Sequence, residues 1–174
     1  MLLRHGARRA PTLVPEVRTC LVLRHAVALP RWSWRGDDAL RPLSRRGDRQ
    51  AVALARNLSV ESIRRVLASP ARRCVATVAA IAEDAGLLVE IAPFLAEGSD
   101  GLVALKRLVA ACEAMGPGVL VACTHGDVLG GVVVELVESG GIVSPPRAIQ
   151  KGGAIRLSVV SGTIAAVSIV PAPA

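Results

Sequence analysis

Aromatic side chains are nearly absent from this sequence of 174 residues, which contains no Tyr, two Trp and one Phe. Proteins that bind single-stranded nucleic acid usually stack bases on aromatic side chains, so this composition does not favour that role. Aliphatic side chains must therefore fill most of the core. The hydrophobic content of 52% is typical of a globular protein.

Cysteine patterns that bind metal or build disulfide frameworks are also lacking. The four cysteines are widely spaced and include no C-x-x-C pair, so we expect reduced core thiols in a cytoplasmic protein. No close set of His, Cys, Asp and Glu has the spacing of metal ligands. We therefore expect neither a metal nor another cofactor.

Long uninterrupted apolar runs are missing as well. The most apolar stretch, residues 118–137, is broken by His125 and Asp127, which does not fit a membrane span. The first residues carry several arginines without the apolar segment of a signal peptide. We expect residues 1–18 to be a basic, flexible tail and residues 19–174 to form one domain.

Negative charge is the scarcer sign, with 14 Asp and Glu against 21 Lys and Arg, for a formal charge of +7. A positive field favours anionic partners and speeds their arrival. Charge alone does not distinguish a phosphorylated metabolite or a phosphoprotein from a nucleic acid. A basic nucleic-acid-binding module therefore stays open as an alternative from another class.

Short apolar runs alternate with amphipathic segments along the chain. The predicted strands are residues 19–23, 64–68, 87–91 and 118–123, followed by a hairpin of residues 154–160 and 163–170. Helices are expected to begin at Ser44, at Ser69 and Pro70 as N-cap and first helical residue, at about Ser99, and after the fourth strand. This alternation predicts an α/β domain of three layers, with a mostly parallel central sheet flanked by helices.

Reactive and cationic side chains follow three of the predicted strands. Arg24 and His25 follow the first strand, Arg73 comes shortly after the second, and His125 follows the fourth. In open α/β sheets, ligands bind beyond the carboxyl ends of the strands. We therefore expect these four side chains to converge at one edge of the sheet.

These four side chains have the chemistry that phosphoryl transfer requires. A neutral imidazole is a nucleophile near neutral pH, and nearby guanidinium groups are expected to keep His25 neutral. Arg24 and Arg73 can bind phosphate oxygens with paired donors, and the N-terminus of a helix favours an anion beside Arg73. His125 can donate to a third oxygen, which would complete a cage for the developing charge.

The motif Leu23-Arg24-His25-Ala26 resembles the signature of the histidine phosphatase superfamily, also called phosphoglycerate mutase-like. Ser69-Pro70-x-x-Arg73 resembles that family's second phosphate-binding segment, and Thr124-His125-Gly126 resembles its second-histidine segment. The resemblance spans about residues 19–160. It implies a phosphoglycerate mutase-like fold, His25 as the phosphorylated nucleophile, and a substrate phosphate pocket made of Arg24, Arg73 and His125.

Two subgroups of the family are similar to different parts of the chain. Residues 24–26 and 69–73 resemble the small SixA type, which implies a phosphohistidine protein as substrate. Residues 34–51 resemble the phosphatase half of MutT-type Nudix–phosphatase fusions, which implies a nucleotide, although no Nudix box is present. We expect a metal-independent hydrolase of phosphomonoesters or phosphoanhydrides, with a SixA-like protein phosphohistidine phosphatase as the alternative.

The group that protonates the leaving oxygen is open between two carboxylates. Family members often carry this acid on the loop after the third strand, where Glu97 lies, so we count Glu97 with His25 and His125 as catalytic. Asp127 is the rival because it lies two residues after His125. A second Arg-His pair ends at His5 but follows no predicted strand, so His5 is not expected to be the nucleophile.

Overall fold

The computed structural model describes residues 16–141 and 148–173. The strands are β1 (Arg18–Arg24), β2 (Ile63–Ala68), β3 (Val89–Ile91), β4 (Gly118–Thr124), β5 (Ala154–Val160) and β6 (Thr163–Val170). The helices are α1 (Arg45–Leu58), α2 (Arg72–Asp84), α3 (Gly101–Met115) and α4 (Gly126–Glu138). Three 3-10 turns, Arg31–Ser33, Asp38–Leu40 and Pro93–Leu95, lie in the connections.

The strands form one sheet in the order β3-β2-β4-β1-β5-β6. The pairs β2–β3, β2–β4 and β1–β4 are parallel, whereas β5 pairs antiparallel with both β1 and β6. Parallel neighbours need crossover connections, which the helices provide. The carboxyl ends of β1, β2 and β4 therefore lie side by side, as the sequence predicted.

Side chains of the central strand β1 alternate between two cores. Cys20 and Val22 belong to the apolar cluster that includes α3 and α4, and Leu21 and Leu23 belong to the cluster that includes α1 and α2. Helices cover both faces, so a central strand can be apolar throughout rather than alternating with polar residues. The predicted three-layer α/β architecture is confirmed.

The structure corrects the predicted start of α2. The sequence placed its N-cap at Ser69, but the helix begins at Arg72, after Ala71. The Ser69 N–H instead donates to the carbonyl of Cys123 at 2.9 Å, which continues the pairing of β2 with β4. Arg73 nevertheless lies in the first turn of α2, as predicted.

The other helix starts lie at or next to their predicted residues. The Ser44 hydroxyl accepts from the Gly47 N–H at 3.2 Å and caps α1, as predicted. The cap of α3 is Asp100 rather than Ser99, because the Asp100 carboxylate accepts from the Val103 N–H at 2.8 Å. Carboxylates are favoured at this position because they accept from unpaired N–H groups and complement the helix dipole.

Parts of two predicted segments lie outside the described residues. They are residues 1–15 of the predicted tail, which include His5, and residues 144–147 of the loop before β5. The tail was predicted to reach residue 18, but Arg18 already pairs with Gly118 and Val159 as the first residue of β1. None of the helices in the described ranges combines the length and apolar character needed to cross a bilayer.

Candidate active site

His25 follows β1 directly, is almost fully buried and presents one nitrogen for chemistry. Its Nδ1 lies 2.7 Å from the carbonyl oxygen of Ala26, which can only accept, so Nδ1 carries the hydrogen. The lone pair of the neutral ring is then on Nε2. This tautomer is the one that a nucleophilic attack through Nε2 requires.

The turn that carries His25 is held by two helices. The Ala26 N–H donates to the Thr77 hydroxyl at 3.0 Å, and the Val27 N–H donates to the Gln50 side-chain oxygen at 3.0 Å. Thr77 is on α2 and also donates to the carbonyl of Arg73 at 2.6 Å. The backbone of the histidine turn is therefore tied to the helix that carries Arg73.

Burial lowers the pKa of His25 from its ordinary value of 6.5 to about 3. Burial is the largest cause; the Ala26 carbonyl opposes it, and the charge of Arg73 is a smaller lowering effect. The sequence predicted that guanidinium groups keep His25 neutral. The structure corrects this cause, because removal from water disfavours the imidazolium more strongly than the nearby cations do.

We expect the NMR signals of the His25 ring to stay unchanged between pH 8 and pH 5. Because its pKa lies below this window, the folded protein keeps the ring neutral where a free histidine would gain a proton. The measurement is a ¹H–¹³C titration of the ring carbon, assigned by comparison with His25→Gln. Denatured protein serves as the control, and a His25 midpoint near 6.5 in the folded protein would contradict the buried neutral state.

Arg24, the last residue of β1, lies across the start of α4. Its Nη1 donates to the carbonyl of Ile149 at 2.8 Å. A Cβ added at Gly126 would lie 2.8 Å from Arg24 Cζ, so only glycine allows the guanidinium to lie this close to the backbone. Arg24 Nε is buried and bonds to no described residue.

Arg73 is 2% exposed and is held from several sides. Its Nη1 donates to the Asp38 carbonyl at 2.8 Å and lies 3.1 Å from the Asp38 carboxylate. Its Nη2 donates to the Glu97 carboxylate at 2.7 Å and lies 3.3 Å from His125 Nδ1. The guanidinium is thus fixed at the centre of the cluster, which is what a preorganised anion site requires.

His125 lies between β4 and α4, and its ring faces that of His25 edge-on, with centroids 5.4 Å apart. Arg73 can only donate to Nδ1, so Nε2 carries the hydrogen and donates to the Ser69 hydroxyl at 2.8 Å. The Cys74 sulfur lies 3.5 Å from the same nitrogen. Ser69, predicted as a helix cap, therefore orients the second histidine instead.

The two candidate acids lie on segments of the chain that one hydrogen bond joins. Glu97 is half-exposed and accepts from Arg73 and, at 3.3 Å, from Arg31. Asp127 accepts from the Gly98 N–H at 2.6 Å. Burial raises the pKa of Asp127, but backbone N–H groups, first that of Gly98, outweigh burial and leave it lowered. Asp127 therefore anchors the loop that carries Glu97.

One pocket of about 440 Å³ unites these groups at the carboxyl edge of the sheet. Two of its cationic side chains, Arg41 and Lys151, were not predicted as site residues. Arg41 precedes α1 and Lys151 precedes β5, so no strand-end pattern pointed to them. The residues that line the pocket are Arg24, His25, Arg41, Arg73, Glu97, His125, Gly126, Asp127, Ala148 and Lys151.

A larger cavity, of about 670 Å³, lies elsewhere, between α3, α4 and the hairpin of β5 and β6. Its lining is mainly apolar and includes none of the four predicted site residues. Within residues 16–141 and 148–173, no group of three or more His, Cys, Asp or Glu side chains could hold a metal ion. The four cysteines are buried free thiols, as predicted.

An α/β domain that gathers two histidines and two arginines in one pocket has the parts of a phosphoryl-transfer enzyme. Comparison with known proteins agrees. The sequence profile of the histidine phosphatase superfamily (branch 1) matches residues 20–106. The chain therefore belongs to the histidine phosphatase superfamily, which confirms the predicted family.

A curated relative is the 8-oxo-(d)GTP phosphatase of Mycolicibacterium smegmatis, 33% identical over 153 residues. The match covers 86% of this chain but 47% of the relative, so the chain spans about half the length of that protein. Among solved structures, the protein histidine phosphatase SixA complexed with tungstate gives a TM-score of 0.72 at 22% identity, covering 88% of this chain and 96% of that one. Phosphoglycerate mutase from Bacillus anthracis gives 0.66 at 14% identity, covering 91% and 93%.

Proposed function

We propose that the protein hydrolyses a phosphomonoester or phosphoanhydride through a phosphohistidine on His25. The observation that carries the proposal is the His25 Nδ1–H bond to the Ala26 carbonyl, which leaves Nε2 as the lone-pair nitrogen in a pocket lined by Arg24, Arg73 and His125. In the first step, Nε2 forms a bond to phosphorus and the bond to the leaving oxygen breaks. The leaving oxygen keeps the electron pair and takes a proton from an acid.

The second step returns the enzyme to its starting state. Water attacks phosphorus, the nitrogen–phosphorus bond breaks, and the electron pair returns to Nε2. The acid, deprotonated in the first step, accepts a proton from this water. Throughout, the Ala26 carbonyl accepts from Nδ1–H, which stabilises the positive charge of the phosphorylated ring. Arg24 and Arg73 bind the phosphoryl oxygens. His125 joins them as its other tautomer, in which Nε2 accepts from the Ser69 hydroxyl and Nδ1–H donates to an oxygen.

Within this proposal Glu97 is the acid and Asp127 is a positioning residue. The hydrogen bond from the Gly98 N–H to Asp127 supports this division, because it ties Asp127 to the loop rather than to a substrate. Glu97 lines the pocket next to Arg73, within reach of a group bound there.

Glu97→Gln should lower kcat on an alkyl phosphate by roughly 10²–10⁴-fold, the usual worth of a positioned acid. On para-nitrophenyl phosphate the loss should be much smaller, because that leaving group departs without a proton. Asp127→Asn is the matched comparison and should show no such dependence on the leaving group. If Asp127→Asn shows it and Glu97→Gln does not, the two roles are exchanged.

The proposal also includes catalysis without a metal. Two arginines supply the positive charge that a metal ion otherwise gives to phosphoryl oxygens. Hydrolysis of para-nitrophenyl phosphate should be unchanged after dialysis against a chelator. Loss of activity on chelation, with recovery on adding a divalent ion, would defeat metal independence. No hydrolysis across a panel of phosphometabolites would defeat the proposed function itself.

Two substrate classes fit this chemistry. The relative named for 8-oxo-(d)GTP supports a nucleotide. The structural likeness to SixA keeps a SixA-like protein phosphohistidine phosphatase as the alternative. A nucleic-acid-binding module is not favoured, because the site gathers cations in a pocket rather than along a groove with aromatic side chains. A cytoplasmic location remains part of the proposal, in keeping with the four free thiols.

A further inference from the structure

The pocket is lined by four cationic side chains against two carboxylates, Glu97 and Asp127. Arg24, Arg73 and His125 suffice to bind the oxygens of the transferred group. Arg41 and Lys151 line the same pocket in addition. Arg41 and Lys151 are therefore available to bind a second anion next to the first.

Within the residues that the structure describes, Lys151 has no counter-ion. All 14 Asp and Glu residues lie within residues 16–141 and 148–173, and none is within ion-pair distance of Lys151. Burial lowers the pKa of Lys151, and the charges of Arg24, Arg41 and Arg73 lower it further. An anion bound between these side chains would relieve their mutual repulsion.

The backbone around Lys151 is fixed against the nucleophile's strand. The Gly152 N–H lies 3.1 Å from the Arg24 carbonyl and 3.3 Å from the His25 carbonyl. Gln50, which also holds the turn after His25, donates to the Lys151 carbonyl at 3.3 Å. The φ of Gly152 is +83°, a conformation that favours glycine and that forms this turn. The backbone of Lys151 is therefore held in a constant relation to His25, and its side chain is exposed.

The Arg41 residue is 7% exposed, and its side chain is held by hydrogen bonds. Its Nε donates to the Asp38 carboxylate at 2.8 Å, and its Nη1 donates to the Leu29 carbonyl at 2.7 Å. Its Nη2 makes no hydrogen bond to a described residue, and Arg41 lines the pocket, so one donor is left for a ligand. Because Arg41 also holds two parts of the loop before α1, Lys151 is the cleaner probe of this region.

We infer that Lys151 and Arg41 form a second anion subsite that binds the phosphoryl group next to the one transferred to His25, so that the preferred substrates are phosphoanhydrides. This inference rests on the proposed function. In the reaction, the bond between phosphorus and the bridging oxygen breaks, and the leaving phosphate keeps the electron pair. Lys151 and Arg41 then stabilise the charge that grows on that phosphate.

The test is calorimetric binding of inorganic phosphate and inorganic pyrophosphate at fixed ionic strength, with His25→Ala protein so that no turnover occurs. Pyrophosphate should bind roughly tenfold tighter than phosphate, the worth of one charge-assisted hydrogen bond. Adding Lys151→Gln should remove this advantage and leave phosphate binding within about twofold. Lys106→Gln makes the same change in net charge outside the pocket and should alter neither affinity.

Three results would overturn the inference. Pyrophosphate could bind no tighter than phosphate, or Lys151→Gln could weaken both equally, which would place Lys151 on the transferred group. Phosphoglycolate could match pyrophosphate with the same loss in Lys151→Gln, which would make the second anion a carboxylate. Absence of any phosphate binding would instead defeat the proposed function.

Discussion

His25→Ala should abolish phosphatase activity on every substrate that the wild-type protein hydrolyses. The imidazole is the only side chain in the proposed reaction that forms a bond to phosphorus, so the phosphohistidine route is lost when it is removed. The measurement is steady-state turnover of para-nitrophenyl phosphate, with a detection limit of at least 10³-fold below wild type. Any residual turnover should come only from the remaining side chains of the pocket, which still stabilise the charge on the phosphoryl oxygens.

His5→Ala is the matched control for this loss, since it removes the second Arg-His motif of the chain. It should leave turnover unchanged. His25→Ala protein should also keep its secondary structure by circular dichroism, so that the loss is chemical rather than structural. Wild-type-like activity in His25→Ala, or loss of activity in His5→Ala, would show that the assignment of His25 as the nucleophile is wrong.

Arg73→Ala should lower kcat/KM by roughly 10²–10³-fold, or about 2.7–4 kcal/mol, the usual cost of removing one preorganised donor to a developing charge. The guanidinium is 2% exposed and is the one that contacts His125, Glu97 and Asp38 together. Because it is fixed before substrate binds, no reorganisation is needed during the reaction. The effect should fall on kcat as well as on KM.

Arg72→Ala is the control, because Arg72 is the neighbouring residue on α2 but is exposed. It should change kcat/KM by less than about threefold, as expected for a screened surface charge. A larger loss for Arg72→Ala than for Arg73→Ala would mean that Arg72, not Arg73, reaches the phosphoryl group. Thermal melts of both variants separate this outcome from a loss of folding.

Much of the fold and the central cluster could be predicted because local pattern and topology agree. The apolar run of β1 requires cover on both faces, and helices on both faces imply parallel strands whose carboxyl ends meet. Arg24, His25, Arg73 and His125 line one pocket as a consequence. The hairpin of β5 and β6 was also bounded correctly, since its alternating residues flank a Ser-Gly turn.

The start of α2 was predicted wrongly because a distant partner competes with a local preference. Ser69 followed by Pro70 is a favourable helix start. Its hydroxyl instead bonds to His125, 56 residues away, and its N–H continues the pairing of β2 with β4. Single-sequence patterns do not contain such a partner.

Arg41 and Lys151 escaped prediction for a related reason. Neither follows a strand, and basic residues are common in this sequence, so nothing local separates them from exposed charges. Lys151 enters the pocket through the turn at Gly152, whose N–H contacts the carbonyls of Arg24 and His25. Only the tertiary arrangement reveals that contact.

The phosphorylated intermediate offers the most direct test of the central claim. Wild-type protein is mixed briefly with a substrate carrying a labelled phosphoryl group, quenched in base, and digested. We predict an acid-labile, base-stable label on the peptide that contains His25, and no label in the His25→Ala protein. Label on a Ser, Asp or Cys side chain, or turnover with no covalent label at any time, would contradict the proposed mechanism.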